Sequence, residues 1–206
     1  MSDSAIGFPK GRQSGKSDNT SLGLKLKLRR HFLSKYHSGD TALRVFDACM
    51  GEGEIWKPLL AEYPITRYWG VDKKPAEGRL ALDSARVLAQ PGWKFDVIDV
   101  DTYGSPWTHW RGILQNGYPQ PLTVFLTVGG AGGMKPVDYA ALHMLGLAPI
   151  MAYIPNSIRW SLNEQAIDHC LSKLYLYDYK PLEVLRAAQG NAIYFGLRII
   201  PTEAKK

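Results

Sequence analysis

Three acidic residues stand at or just beyond the ends of apolar runs: Asp47 after LRVF, Asp72 after YWGV and Asp101 after FDVIDV. Asp is a poor strand residue, so its recurrence at these ends asks for a functional reason. The first acid leads into Ala48-Cys49-Met50-Gly51-Glu52-Gly53. The two glycines permit a tight turn and a close approach of backbone to ligand, and a helix following them would offer free N–H groups. The dinucleotide fingerprint is incomplete: G-x-G is present, but the third glycine is missing and Glu52 and Glu54 flank the turn. Those glutamates would repel a pyrophosphate and tolerate a ligand that carries positive charge and no phosphate. Asp72, nineteen residues beyond Gly53, suits the two hydroxyls of a ribose. Asp83-Ser84 could meet an adenine edge. Each feature also has a plainer reading, as a tight turn or a helix cap; the specific signal is the glycine turn and the acid together.

The segment KFDVIDVDTYGSPW, residues 94–107, carries the second cluster. Asp99 and Asp101 are two apart and share one side of an extended strand. Asp96 reads as a strand-start residue. Asp101 falls where such a strand would end, followed by an aromatic turn with Tyr103, Ser105, Pro106 and Trp107.

The elements that must position these residues alternate. LRVFDAC, RYWGVD, RLALD, KFDVIDV and PLTVFLTV read as strands; EIWKPLLAEY, SARVLAQ, PVDYAALHMLG and SLNEQAIDHCLSKLYLYD read as helices. LEVLRAA and AIYFGLRII, joined by Gln189-Gly190-Asn191, read as a closing hairpin. The expected fold class is therefore α/β, a mostly parallel sheet covered on both faces with a C-terminal antiparallel hairpin. Ligands of such sheets bind beyond the C-terminal ends of the strands. Residues 1–24 are expected to be a flexible basic tail and 25–206 a single domain, with a short helix from about Lys25 to Tyr36. The AYIPNSIRW segment finds no place in this scheme.

Charge is distributed unevenly. The chain of 206 residues has a net charge of +6, and residues 1–44 hold nine Lys/Arg against three Asp, so the whole surplus lies there. A neutral body with a basic arm is the pattern of a polyanion binder, which makes Lys25, Lys27, Arg29 and Arg30 expected phosphate contacts; the plainer reading is a solvated tail. No apolar run is long enough to cross a bilayer, and two cysteines are too few for a disulfide framework. An intracellular, cytoplasmic protein is expected. The histidines have no metal-ligand spacing, so no metal is expected. Gly11 to Ser17 falls one residue short of a phosphate loop and follows no strand.

FDACMGEG, the acid of GVD and the acid ending the fourth strand resemble the class I S-adenosylmethionine-dependent methyltransferases, over about residues 43–130. The resemblance implies a Rossmann-like sheet, S-adenosylmethionine as cofactor, and a cofactor set of Asp47, Cys49, Gly51 and Gly53 beside the methionine part. Asp72 would take the ribose, Asp83 and Ser84 would lie near the adenine, and Asp99 joins the same set. VDTYGSPW resembles the DPFGSP segment of tRNA guanine-N2 dimethyltransferases, with Thr102 where that family has proline. By this likeness Asp101 accepts a hydrogen bond from the target amine and Tyr103 stacks on the base, while Ser105, Pro106 and Trp107 shape the pocket.

The expected activity is methylation of an exocyclic amine of a base in nucleic acid, RNA before DNA. Two alternatives stand beside it. One is a methyltransferase for a small molecule or protein. The other is a non-catalytic binding module that keeps the fold.

Overall fold

The computed structural model describes residues 21–75, 77–78, 80–102, 105–129, 149, 162–189 and 192–202. In chain order these form α1 (Leu22–Tyr36), β1 (Leu43–Asp47), α2 (Trp56–Glu62), β2 (Ile65–Asp72), β3 (Leu80–Ala81), α3 (Ser84–Leu88), β4 (Val97–Val100), α4 (Trp107–Asn116), β5 (Leu122–Gly129), α5 (Leu162–Ser172), a 3-10 turn (Leu174–Tyr177), β6 (Tyr179–Gln189) and β7 (Ala192–Pro201). Tyr103, the glycine run beyond Gly129, the expected helix at 136–146, the AYIPNSIRW segment and the Gly11–Ser17 stretch lie outside the described residues.

The seven strands form one sheet in the order β3-β2-β1-β4-β5-β7-β6. β1, β2, β3, β4 and β5 run parallel; β7 pairs antiparallel with β5 and with β6, closing the expected hairpin from Tyr179↔Pro201 to Gln189↔Ala192. Chain order reverses between β1 and β4. That is the switch point at which the strand ends part and a crevice opens.

Side-chain alternation sends two sets of residues to opposite faces. Phe46, Ile98 and Val124 meet Leu88 of α3, Trp107, Trp110 and Ile113 of α4, and Ala166 and Ile167 of α5. Val45, Val97 and Phe125 meet Leu28, Phe32 and Leu33 of α1 and Trp56 and Leu59 of α2. Asp47, Asp99 and Asp101 share the parity of Val45 and Val97, so their side chains belong to the α1–α2 face.

Helix α1 begins three residues before the expected start, and Ser21 ahead of it is already buried. Residues 22–24 are thus folded rather than tail. Its buried positions, Lys25, Leu28, Arg29, Phe32 and Leu33, follow the helical spacing, but two of the five are cations, which blurs the apolar periodicity in the sequence. The helix lies close to β7 because Gly196 has no side chain: a Cβ there would stand 2.6 Å from Phe32 Cε2.

Helix α4 was not expected from the sequence. Ser105-Pro106 opens it in the usual manner, a small polar residue and a proline at a helix start. Trp107, Trp110, Ile113 and Leu114 then recur at helical spacing and are buried. The signal is local; Trp107 reads as part of the aromatic turn only because the apolar stripe is short.

Candidate active site

Two corners make up the strand-end edge. At the first, β1 passes into the glycine turn. Gly51 and Gly53 adopt left-handed backbone, φ 52° and 72°, and Gly53 N donates to Met50 O at 2.8 Å. Asp72, at the end of β2, holds this turn: Oδ2 accepts from Gly51 N at 3.1 Å and Oδ1 from Lys74 N at 3.0 Å. Among the described residues no atom lies within 4 Å of where a Cβ on Gly51 would be, so no side chain of its own fills the space beside the turn. Met50 folds over Gly70, where a Cβ would stand 2.2 Å from its sulfur.

Around this corner the sequence expectations divide. Asp83 accepts from Ala85 N at 3.1 Å and caps α3, the plainer of its two readings. Ser84 is buried and shares a 2.9 Å hydrogen bond with His109 Nε2. His109 belongs to α4, and burial lowers its pKa to about 4, so it is a neutral imidazole. The Cys49 thiol is pushed well above its ordinary value by burial, and further by Asp47 and Asp101. It lacks the thiolate character of a nucleophile.

The second corner joins β4 to α1. Arg29 donates from Nε to Asp99 Oδ2 and from Nη2 to Asp99 Oδ1, both at 2.7 Å, and both side chains are 1% exposed. Trp56 Nε1 donates to Asp99 Oδ2 at 2.9 Å, tying the first residue of α2 to the same carboxylate. One helical turn earlier, Lys25 Nζ lies 2.6 Å from Asp101 Oδ2, and Thr127 Oγ1 donates to Asp101 Oδ1 at 2.5 Å. The two ion pairs align for a geometric reason. Four residues of helix rise about 6 Å and two residues of strand about 6.6 Å, so Lys25-x3-Arg29 on a helix matches Asp99-x-Asp101 on a strand running the other way. The pairing was written in those two spacings, though nothing local said that the helix and strand meet.

These contacts correct the expected roles of three residues. Lys25 and Arg29 are buried and neutralised from within rather than held out to phosphates. Asp99 is enclosed by Arg29 and Trp56 and serves as a hub between elements rather than a cofactor contact. Arg30, exposed, pairs with Glu62 at 2.6 Å; Lys27 is exposed. Lys35 pairs with Glu183 and Arg44 with Asp96. Five of the six cations between residues 25 and 44 are therefore engaged by acids, four of which lie in the body beyond β2 and one on α2.

Among the described residues, Asp47 has the most strongly shifted carboxyl. It is the Cα partner of Asp99 across β1 and β4, and its pKa is pushed up to about 8, first by burial and then by Asp99 and Asp101. Tyr68 Oη donates to its Oδ2 at 2.7 Å, and Cys49 N donates to Oδ1 at 3.3 Å. Asp47 thus braces the base of the turn, with its carboxyl group facing inward.

Beyond Asp101, Ser105 Oγ accepts from Trp107 N at 3.4 Å and Pro106 stands at the helix start. Trp107, expected in the pocket wall, is instead a core residue packed on the α3–α5 face of the sheet: as the first residue of a helix it points back over the sheet, not into the loop. Tyr103 lies outside the described residues. Among the described residues no group of three His, Cys, Asp or Glu side chains could hold a metal ion, and no helix is long and apolar enough to cross a membrane.

This strand order, glycine turn and acid-lined edge define the class I methyltransferase fold, and solved structures bear out the likeness. Trm1 from Pyrococcus horikoshii in complex with S-adenosyl-L-methionine superposes with a TM-score of 0.58 at 13% identity, over 89% of this chain and 57% of that one. The chain thus spans little more than half the length of that protein. M. jannaschii TYW2 in complex with AdoMet gives 0.52 at 10% identity, over 88% and 77%. Magnesium protoporphyrin IX methyltransferase (ChlM) from Synechocystis PCC 6803 with bound SAM gives 0.52 at 13%, over 94% and 87%. At these identities the likeness is one of fold. No protein-family model and no curated protein matches the chain.

Proposed function

We propose that the chain is an S-adenosylmethionine-dependent methyltransferase whose acceptor is an exocyclic amine of a base in nucleic acid, RNA in preference to DNA. The observation that carries the reading is the joining of two features at one strand-end edge: the glycine turn bound by Asp72, and Asp101 just beyond the end of β4. The donor set fits such a cofactor. Gly51 leaves room for close approach, Asp72 offers a carboxylate to ribose hydroxyls, and Glu52, Glu54 and Asp72 suit a cation that bears no phosphate. Bound there, S-adenosylmethionine would supply an activated methyl group. The chain's own part is to hold the acceptor nitrogen in line, which is catalysis by positioning. Asp101 accepts the N–H of the amine and directs its lone pair; Tyr103 stacks on the base; Ser105 and Pro106 border the loop between them.

One observation favours a second reading, transfer to a small molecule. With five cations of residues 25–44 drawn into internal pairs, much less of the basic segment is left for a phosphate backbone than its composition suggests. Salt separates the two, because binding to a nucleic acid weakens steeply with ionic strength.

The test starts with the cofactor. S-adenosylmethionine at a hundred times its dissociation constant should stabilise the protein by about 2.7 kcal/mol, and Asp72→Ala should lose that thermal shift. No shift with the methyl donor or its demethylated product would refute both readings. Radiolabelled transfer onto total RNA, DNA and small-molecule extracts then identifies the acceptor class, and Asp101→Ala should abolish transfer while leaving cofactor affinity nearly unchanged.

A further inference from the structure

Resting on the amine-methylation reading, we propose that Lys25 of α1, together with Thr127 of β5, is the positioning residue that fixes the acceptor carboxylate of Asp101. A carboxylate that aligns a target amine must have its own plane fixed, since free rotation would spread the nitrogen over many orientations. Asp101 stands one residue beyond the end of β4, outside its paired ladder. The restraint comes from elsewhere. Oδ2 is held by Lys25 at 2.6 Å and Oδ1 by Thr127 at 2.5 Å, one donor from the helix and one from the neighbouring strand. Lys25 is fixed in turn: Nζ lies 5.3 Å from the centroid of the Tyr194 ring of β7, and its carbonyl accepts from Arg29 Nη1 at 3.0 Å. The buried Arg29–Asp99 pair one turn below sets the register of the whole helix face. Four elements, α1, β4, β5 and β7, thus converge on one carboxylate.

Lys25 could instead be read as an occupant that a substrate amine must displace. The chemistry argues against this. Lys25 and Asp101 are both charged and form an ion pair at 2.6 Å, whereas an exocyclic amine brings no charge of its own to the carboxylate, so it would not expel the ammonium. A carboxylate has about four lone-pair positions. Lys25 and Thr127 take one each on different oxygens, and the amine is accepted at another.

The experiment compares Lys25→Met, Lys25→Arg and Thr127→Val with the wild type in radiolabelled methyl transfer from S-adenosylmethionine to total RNA, beside S-adenosylhomocysteine affinity and thermal melting. Lys25→Met should lower kcat by about 100-fold, the scale of a small misplacement of a reacting group. The KM for S-adenosylmethionine should stay within about twofold, since the cofactor corner is untouched. Lys25→Arg, which restores the charged donor, should recover part of the loss, and Thr127→Val should give a smaller fall of the same kind. A purely structural role would lower melting temperature and cofactor affinity together and show no rescue by Arg. Unchanged kcat in Lys25→Met would overturn the positioning role and leave the methyltransferase reading standing. A folded, cofactor-binding wild type that transfers methyl to none of the RNA, DNA or small-molecule fractions would overturn both.

Discussion

The two corners of the strand-end edge are built by different means. The glycine-turn corner is short-range: Asp72 reaches Gly51 N and Lys74 N, and left-handed glycines shape the bend. The Asp101 corner is assembled from distant segments, with Lys25 and Asp101 separated by 76 residues and Arg29 and Asp99 by 70. The first needs only a strand, a turn and another strand in register. The second exists only once α1 has docked on the sheet, so substitutions that loosen α1 should damage the second corner and spare the first.

The largest effect should come from Arg29→Met. It strands Asp99 as a buried, uncompensated carboxylate next to Asp47, and losing one partner of such a pair costs about 3–5 kcal/mol. Urea denaturation would measure it; a loss under about 1 kcal/mol would mean that Asp99 does not depend on α1. Next is Gly196→Ala, whose Cβ would press Phe32 away from β7, an overpacking cost of about 1–3 kcal/mol. It should slow methyl transfer more than it weakens S-adenosylhomocysteine binding. Gly51→Ala forces an L side chain into left-handed backbone at about 1–2 kcal/mol, and should show the opposite pattern; similar patterns for both variants would dissolve the distinction between the corners.

A separate effect concerns pH. In the unfolded chain Asp47 ionises from its ordinary 3.8, whereas in the fold it keeps its proton up to about 8. Between those values the folded state binds more protons, so this group's contribution to stability falls as pH rises. Asp47→Asn should flatten the decline in urea midpoint between about pH 5 and about pH 8; an unchanged slope would show that Asp47 is ionised in the fold. The smallest effect should be that of Arg30→Ala. Arg30 is the neighbour of Arg29, but its Glu62 pair is exposed on both sides, and such pairs contribute about 0–1 kcal/mol. Equal losses from Arg29 and Arg30 would contradict the burial that separates them.

Most strands were legible because their alternation and apolar runs are local, and the closing hairpin because Gly190-Asn191 lies between two such runs. The glycine turn and Asp72 were legible as a pair for the same reason. Helix α4 could have been read from Ser105-Pro106 and the spacing of Trp107, Trp110 and Ile113. The basic segment was misread in a more instructive way. Counting charges located the surplus correctly, but a count does not show which acids face which cations. Lys25 and Arg29 read as an arm for phosphates until α1 was seen to lie against β4.

By itself the sequence determined an α/β order of elements, a tight glycine turn after β1, and acids at three strand ends, since each follows from a short run of residues and its backbone preferences. The tertiary structure decided what those acids do. Asp99 became a buried hub, Asp47 an inward brace, and Asp101 a carboxylate held from two sides. The reason is physical: a carboxylate's role depends on its burial and its partners, and in this chain the decisive partners of Asp99 and Asp101 are brought by a helix some seventy residues away.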